Sequence, residues 1–293
     1  MDVAEVKQAC EAHYGLIDSP FSLTPDTGYY CELPYHDAAF ESVLFALGSG
    51  EGFVKVTGEV GTGKTLLCRR LLNYLAKHNA ETAYIPNPTL SPTALWVAIG
   101  AELGLTGYKR LSELRLAVQE YLVSLARSGR RLVLVIDEAQ SLPGDTLEAL
   151  RLISNLETER RKLIQIVLFG QPELDETLNR QEFRQLKQRI STSARLSPLT
   201  DPDLIGTYLN HRLSCAGYRG APLFTKNAVR RIWLSSEGTP RLINILAAKA
   251  LLVAFGRGDS IISEKHVEAA ASDTESVRQD VGWRERVRFA IGF

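Results

Sequence analysis

With 293 residues, 45% of them hydrophobic, the chain is long and apolar enough to build one large or two modest folded domains, which excludes a disordered protein. Lys plus Arg and Asp plus Glu both number 34, so the formal charge is zero and only local patches can attract nucleic acid or an anionic membrane. Cys10, Cys31, Cys68 and Cys215 lie far apart without metal-ligand spacing and the five histidines form no ligand group, a pattern of buried or incidental thiols in a reducing cytosol.

In chain order, the N-terminal lead carries several acids and no long apolar segment, so it lacks the basic start and hydrophobic centre of an export signal. The first strong element is an apolar strand, Gly52 to Thr57, which runs into Gly58-Glu-Val-Gly-Thr-Gly-Lys-Thr65 and then into the helical pattern from Leu66. A glycine-rich turn joining a strand to a helix is the pattern of a phosphate-binding loop. Glycines at 58, 61 and 63 permit positive φ and leave room for backbone N–H groups to wrap a phosphate, and the helix adds the positive end of its dipole. The expected nucleotide contacts are Gly58, Glu59, Val60, Gly61, Thr62, Gly63, Lys64, Thr65 and Leu66. Of these, Lys64 is expected to reach the β- and γ-phosphates of ATP, and the Thr65 hydroxyl to hold Mg²⁺.

A second strand is predicted over Thr82 to Ile85, with helices beginning near Ser91 and Leu111. Residues 132 to 138, Leu-Val-Leu-Val-Ile-Asp-Glu, form a buried strand that delivers two carboxylates to its carboxyl end. Asp137 is expected to hold the Mg²⁺ shell, and Glu138 to orient and deprotonate water, which favours ATP hydrolysis over transfer to a small molecule. After a helix near Asp145, the strand Leu163 to Phe169 leads to Gln171, an uncharged amide placed to touch the γ-phosphate or the attacking water. The segment Asn179 to Ile190 supplies Arg180, Arg184, Lys187 and Arg189. Solvated helix charges are the ordinary explanation, but an arginine here can also enter a neighbouring subunit's site.

A last strand, Ser191 to Leu196, completes the alternation of strands and helices, so the fold class is α/β: a three-layer P-loop core with a parallel sheet. From Pro198 the pattern changes to successive helices near Asp201 to Ala216, Thr225 to Ser236, Pro240 to Phe255 and Ser263 to Ala271, a small all-helical lid domain. The run Leu242 to Phe255 contains Asn244 and Lys249 and is too short to span a bilayer, so it reads as a buried helix. Gly238-Thr-Pro-Arg241 opens one of these helices, and Arg241 is expected to face the nucleotide across the domain boundary. The expected organisation is a lead over 1–39, the core over 40–197, the lid over 198–273 and a tail over 274–293. In the tail, Val281, Trp283, Val287, Phe289 and Ile291 interleave with arginines, which suits either a last helix packed on the lid or a peripheral contact with a membrane or partner.

Together, Gly58 to Thr65, Leu132 to Glu138, Gln171, the basic segment before Ile190 and Gly238 to Arg241 resemble the AAA+ ATPases over about residues 36 to 272. That resemblance implies Walker A at Gly58 to Thr65, Walker B at Asp137 and Glu138, sensor 1 at Gln171, an arginine finger at Arg189, a sensor 2 arginine at Arg241, and a homo-oligomer. The lead Tyr14-Gly-Leu and Pro20 to Asp26, His36 before the first core helix, Asp137-Glu-Ala-Gln140 and Phe169-Gly-Gln-Pro-Glu-Leu174 look like the ExeA-type secretion ATPases, nearest in pattern to the MSHA pilus biogenesis ATPases. This narrower resemblance implies a cytoplasmic ATPase, peripheral at the inner membrane, whose partners are pilus or secretion-assembly proteins. The other readings are a DNA-transaction ATPase, disfavoured by nine Lys and Arg against seven Asp and Glu from Thr200 to Asp273, and a slow nucleotide-gated scaffold. Phe21 and Leu23 of the lead suit either a strap packed on the core or a flap over adenine.

Overall fold

The structure, a computed structural model, describes residues 2–157 and 162–277. The tail expectation therefore lies outside the described residues, except for residues 274–277.

In chain order the helices are α1 (Val3–His13), α2 (Pro34–Gly48), α3 (Lys64–Lys77), α4 (Pro92–Glu102), α5 (Leu111–Arg127), α6 (Gly144–Ile153), α7 (Pro172–Leu178), α8 (Arg184–Arg189), α9 (Pro202–Cys215), α10 (Lys226–Ser236), α11 (Pro240–Arg257) and α12 (Glu264–Ser272). The strands are β1 (Phe53–Gly58), β2 (Glu81–Ile85), β3 (Leu132–Ile136), β4 (Ile164–Gly170) and β5 (Ile190–Leu196). Helix starts follow local chemistry: Ser91 and Thr225 accept from the backbone N–H three residues on, and proline occupies the first turns of α4, α7, α9 and α11, where no N–H is needed.

The chain divides into two compact units. The α/β unit, Pro34–Ser197, holds one parallel sheet in the order β2-β3-β4-β1-β5. Leu132, Leu134 and Ile136 of β3 and Ile164, Ile166 and Leu168 of β4 share a buried cluster with apolar residues of α4 to α8. The alternate residues Val133, Val135, Val167 and Phe169 are also buried, on the opposite face, where α2 and α3 pack. Both faces are therefore covered, which is why the strands read as continuous apolar runs. His36, expected to precede the first core helix, lies inside it at the third position of α2, because Pro34 starts the helix two residues earlier.

The helical unit comprises α9 to α12 together with the lead. Tyr14, Leu16, Phe21, Tyr29 and Leu33 are buried in one cluster with Leu209, Leu213, Phe224, Ile243, Leu246 and Ala250. This corrects the strap expectation. Phe21 packs edge-on against Phe224, with ring centroids 5.9 Å apart, within the helical unit, whereas Leu23 is exposed. These helices present more apolar surface than they bury among themselves, and the lead covers the excess. At the start of α11, Gly238 has φ +74°, and an added Cβ would stand 2.0 Å from the Leu199 carbonyl oxygen, so glycine is required there. The Leu199 N–H donates to Gly238 O at 2.9 Å, and Trp233 Nε1–H donates to Leu199 O at 3.2 Å.

Candidate functional site

A parallel sheet gathers the carboxyl ends of its strands at one edge, and the order of these strands places β4 between β1 and β3. The phosphate-binding loop follows β1, Asp137 follows β3 and Gln171 follows β4, so three chemically distinct elements meet at one edge of the sheet.

The loop itself departs from expectation at one glycine. Gly61 and Gly63 adopt φ of 82° and 99°, as the turn requires, but Gly58 does not lie in the left-handed region. Its need is spatial. A Cβ at 58 would meet Leu196 O at 2.7 Å and Thr62 Oγ1 at 2.8 Å, so β5 and the loop close around a bare backbone. Lys64, buried at the first turn of α3, donates from Nζ to Gly58 O at 2.7 Å and to Glu59 O at 2.9 Å. Thr62 Oγ1 also donates to Glu59 O, at 2.8 Å. Burial lowers the Lys64 pKa, and the carboxylates of Glu138, Asp137, Glu59 and Glu173 oppose that shift.

Asp137 is buried directly after β3. Burial raises its pKa, while hydrogen bonds from the Glu138 N–H, at 2.9 Å, and from the Thr65 side chain pull it down. A buried carboxylate bonded to a hydroxyl is an all-oxygen donor pair, the chemistry that suits Mg²⁺ shared with phosphates. Thr65 and Asp137 therefore fit the expected metal role.

Glu138 is a non-glycine residue in the left-handed region, φ 52° and ψ 38°, a backbone position that turns its side chain out of the strand's alternation. One of its oxygens, Oε2, accepts from Gln140 Nε2 at 2.6 Å and from Gln171 Nε2 at 3.2 Å. Gln140 Oε1 in turn accepts the Gln171 N–H at 3.0 Å. Two amides thus orient the acid expected to position water. Gln171 was expected at this edge. Gln140 was not singled out for a role, although its place two residues after Glu138 was the available signal.

The structure separates Arg189 from this group. Arg189 ends α8, immediately before β5, and the register pairs Ile190 with Phe53 while Leu196 pairs with Gly58. Arg189 therefore sits at the amino edge of the sheet, about 20 Å along the strand from the loop of its own chain. Its guanidinium Nη1 donates to Ser154 Oγ at 3.1 Å. Arg241 is the second residue of α11 in the helical unit, and its side chain is exposed.

Residues 47–178 match the family model described as "AAA domain". The matched residues lie within the α/β unit. The chain is 39% identical over 283 residues to General secretion pathway protein A of Aeromonas hydrophila, covering 95% of this chain and 51% of that protein. It thus spans about half the length of this curated relative. Among solved structures, Cdc6p from Pyrobaculum aerophilum superposes with a TM-score of 0.69 at 20% identity, covering 95% of this chain and 75% of that one. ORC2 from Aeropyrum pernix, in ADPNP–ADP complexes, gives a TM-score of 0.62 at 19% identity, covering 88% and 72%. At such identities these two likenesses concern the AAA P-loop fold, with the expected three-layer α/β architecture, and nothing further.

Proposed function

We propose that this chain is an Mg²⁺-dependent, self-associating AAA+ ATPase of the ExeA type. The observation that carries the reading is the gathering of the Gly58–Thr65 loop, the Thr65-bonded Asp137 and the amide-held Glu138 at one sheet edge. In it, backbone N–H groups of the loop and Lys64 bind the phosphates of ATP, Thr65 and Asp137 hold Mg²⁺, Glu138 directs water, and Gln171 holds Glu138 and the water in line. Mg²⁺ held by Thr65 and Asp137 would supply positive charge to offset that of the phosphates.

The position of Arg189 at the far edge of its own sheet supports a role in trans: it is out of reach of the phosphates of its own chain and available to a neighbour's. Arg241 is proposed as the lid's contribution to the nucleotide. The similarity to General secretion pathway protein A supports a secretion-related role; we extend this to type II secretion-related or type IV, MSHA-like, pilus assembly, with assembly proteins at the inner membrane as partners. No helix among the described residues is long and apolar enough to cross a membrane. The near balance of charge over Thr200 to Asp273 argues against a duplex-binding lid.

The test is nucleotide binding and phosphate release by three proteins. The wild-type chain is expected to hydrolyse ATP only with Mg²⁺; Lys64→Ala should lose ATP affinity. Glu138→Gln should keep that affinity and lose turnover by about a hundredfold or more, because the base that activates water is gone while every phosphate contact remains. Unchanged turnover in Glu138→Gln would remove that residue from the chemistry.

A further inference from the structure

The loop carbonyls of Gly58, Glu59 and Thr62 each accept a side-chain hydrogen bond. For Gly58 and Glu59 the donors are Lys64 and Thr62, inside the motif. For Thr62 the donor comes from outside it: His36 Nε2 lies 2.7 Å from Thr62 O. A carbonyl oxygen only accepts, so Nε2 carries the proton. His36 is 6% exposed, and its Nδ1 is buried with no hydrogen-bond partner. A second proton on Nδ1 would thus be a buried donor with nowhere to go, and burial accordingly lowers the pKa of this ring. The imidazole is neutral, in one tautomer, and fixed by α2.

The oxygen it holds belongs to the Thr62–Gly63 peptide. In a planar trans peptide the C=O and the following N–H point in opposite directions. An imidazole that pins Thr62 O therefore directs the Gly63 N–H away from itself. Rotation of that peptide would exchange a donor for a carbonyl oxygen inside the phosphate cradle, replacing attraction with repulsion. Gly63, at φ 99°, has the backbone freedom to permit such a rotation, and a Cβ there would stand 3.3 Å from Nε2, so ring and loop are in direct apposition.

We propose that His36 is a positioning residue of the phosphate-binding loop, holding the Thr62–Gly63 peptide so that the Gly63 N–H faces bound phosphate. This rests on the nucleotide reading above and adds to it a residue that lies outside the Gly58–Thr65 motif.

The experiment titrates ribose-labelled fluorescent ATP with Mg²⁺ into the whole chain and three variants. His36→Ala is expected to bind about tenfold more weakly, the loss of one hydrogen bond plus the freedom of the peptide. Glutamine places an amide nitrogen as many bonds from Cβ as Nε2 is, so His36→Gln should stay within about threefold of wild type. His36→Asn reaches only the position of Nδ1 and should behave like alanine. If alanine prevents folding, the glutamine and asparagine pair decides. Alanine binding as tightly as wild type, or glutamine and asparagine weakened equally, would overturn the proposal. Absence of saturable binding by the wild-type chain would contradict the nucleotide reading itself.

Discussion

In the helical unit, Arg212 is 5% exposed and its guanidinium makes three hydrogen bonds within the protein. Nε–H donates to Pro20 O at 2.5 Å, Nη2–H to Ser22 O at 3.2 Å and Nη1–H to the Tyr208 hydroxyl at 3.3 Å, and the group lies 5.0 Å from the centre of the Tyr29 ring. In the α/β unit, Lys64 and Asp137 are as deeply buried, at 6% and 3% exposed, and burial pushes the lysine pKa down and the aspartate pKa up, against the hydrogen bonds and opposite charges beside them. The first arrangement ties the lead onto α9. The second keeps charge where the proposed phosphates and divalent cation would meet it. Arg212 binds carbonyls from a segment about 190 residues away, whereas the backbone partners of the Lys64 and Asp137 side chains all lie in their own motifs.

That contrast is open to attack from both sides. The largest effect is expected in the helical unit. Arg212→Ala removes three charge-assisted hydrogen bonds and leaves Pro20 O and Ser22 O facing a void, so it should cost about 3 kcal/mol or more of stability in denaturant unfolding. Nucleotide affinity of the folded protein should change by no more than about threefold. A large loss of affinity without loss of stability would erase the distinction between the two kinds of buried charge.

A smaller and opposite effect is expected at the sheet edge. Gln140→Ala releases Glu138 Oε2 from its 2.6 Å partner and leaves the Gln171 N–H without Gln140 Oε1. Turnover should fall about tenfold, the loss of one orienting hydrogen bond to a charged group, while ATP affinity and the unfolding midpoint stay where they are. A shift in affinity larger than the shift in turnover would make Gln140 part of binding rather than of water positioning.

The sequence made the chemical side of this contrast plain, because its signals are local. Leu132 to Ile136 is a continuous apolar run closed by two acids, and the observed β3 has the same limits. The glycine loop marks both the end of β1 and the start of α3 at Lys64. The structural side was hidden because it depends on distant partners. Arg212 meets Pro20 and Ser22 across about 190 residues, and nothing in the spacing of the lead says which helices it will cover. His36 was visible only as one letter of a resemblance, since its bond to Thr62 joins elements that no periodicity connects. Gly58 was assigned to the correct loop for an incorrect reason: turn patterns advertise positive φ, whereas the crowding of Leu196 O against position 58 arises only when β5 pairs with β1.

On the proposed reading, one chain supplies the carboxyl edge of a site while the arginine at its amino edge serves another chain's nucleotide. Phosphate release by an equimolar mixture of Lys64→Ala and Arg189→Ala proteins tests it most directly. Each variant alone should be nearly inactive, the first for want of a pocket and the second because a transition-state arginine contributes on the order of a thousandfold. In the mixture, an intact pocket on the Arg189→Ala chain can meet an intact Arg189 on the Lys64→Ala chain, and activity should rise well above the sum of the two. A mixture no more active than that sum, or an Arg189→Ala protein fully active at every concentration, would contradict it.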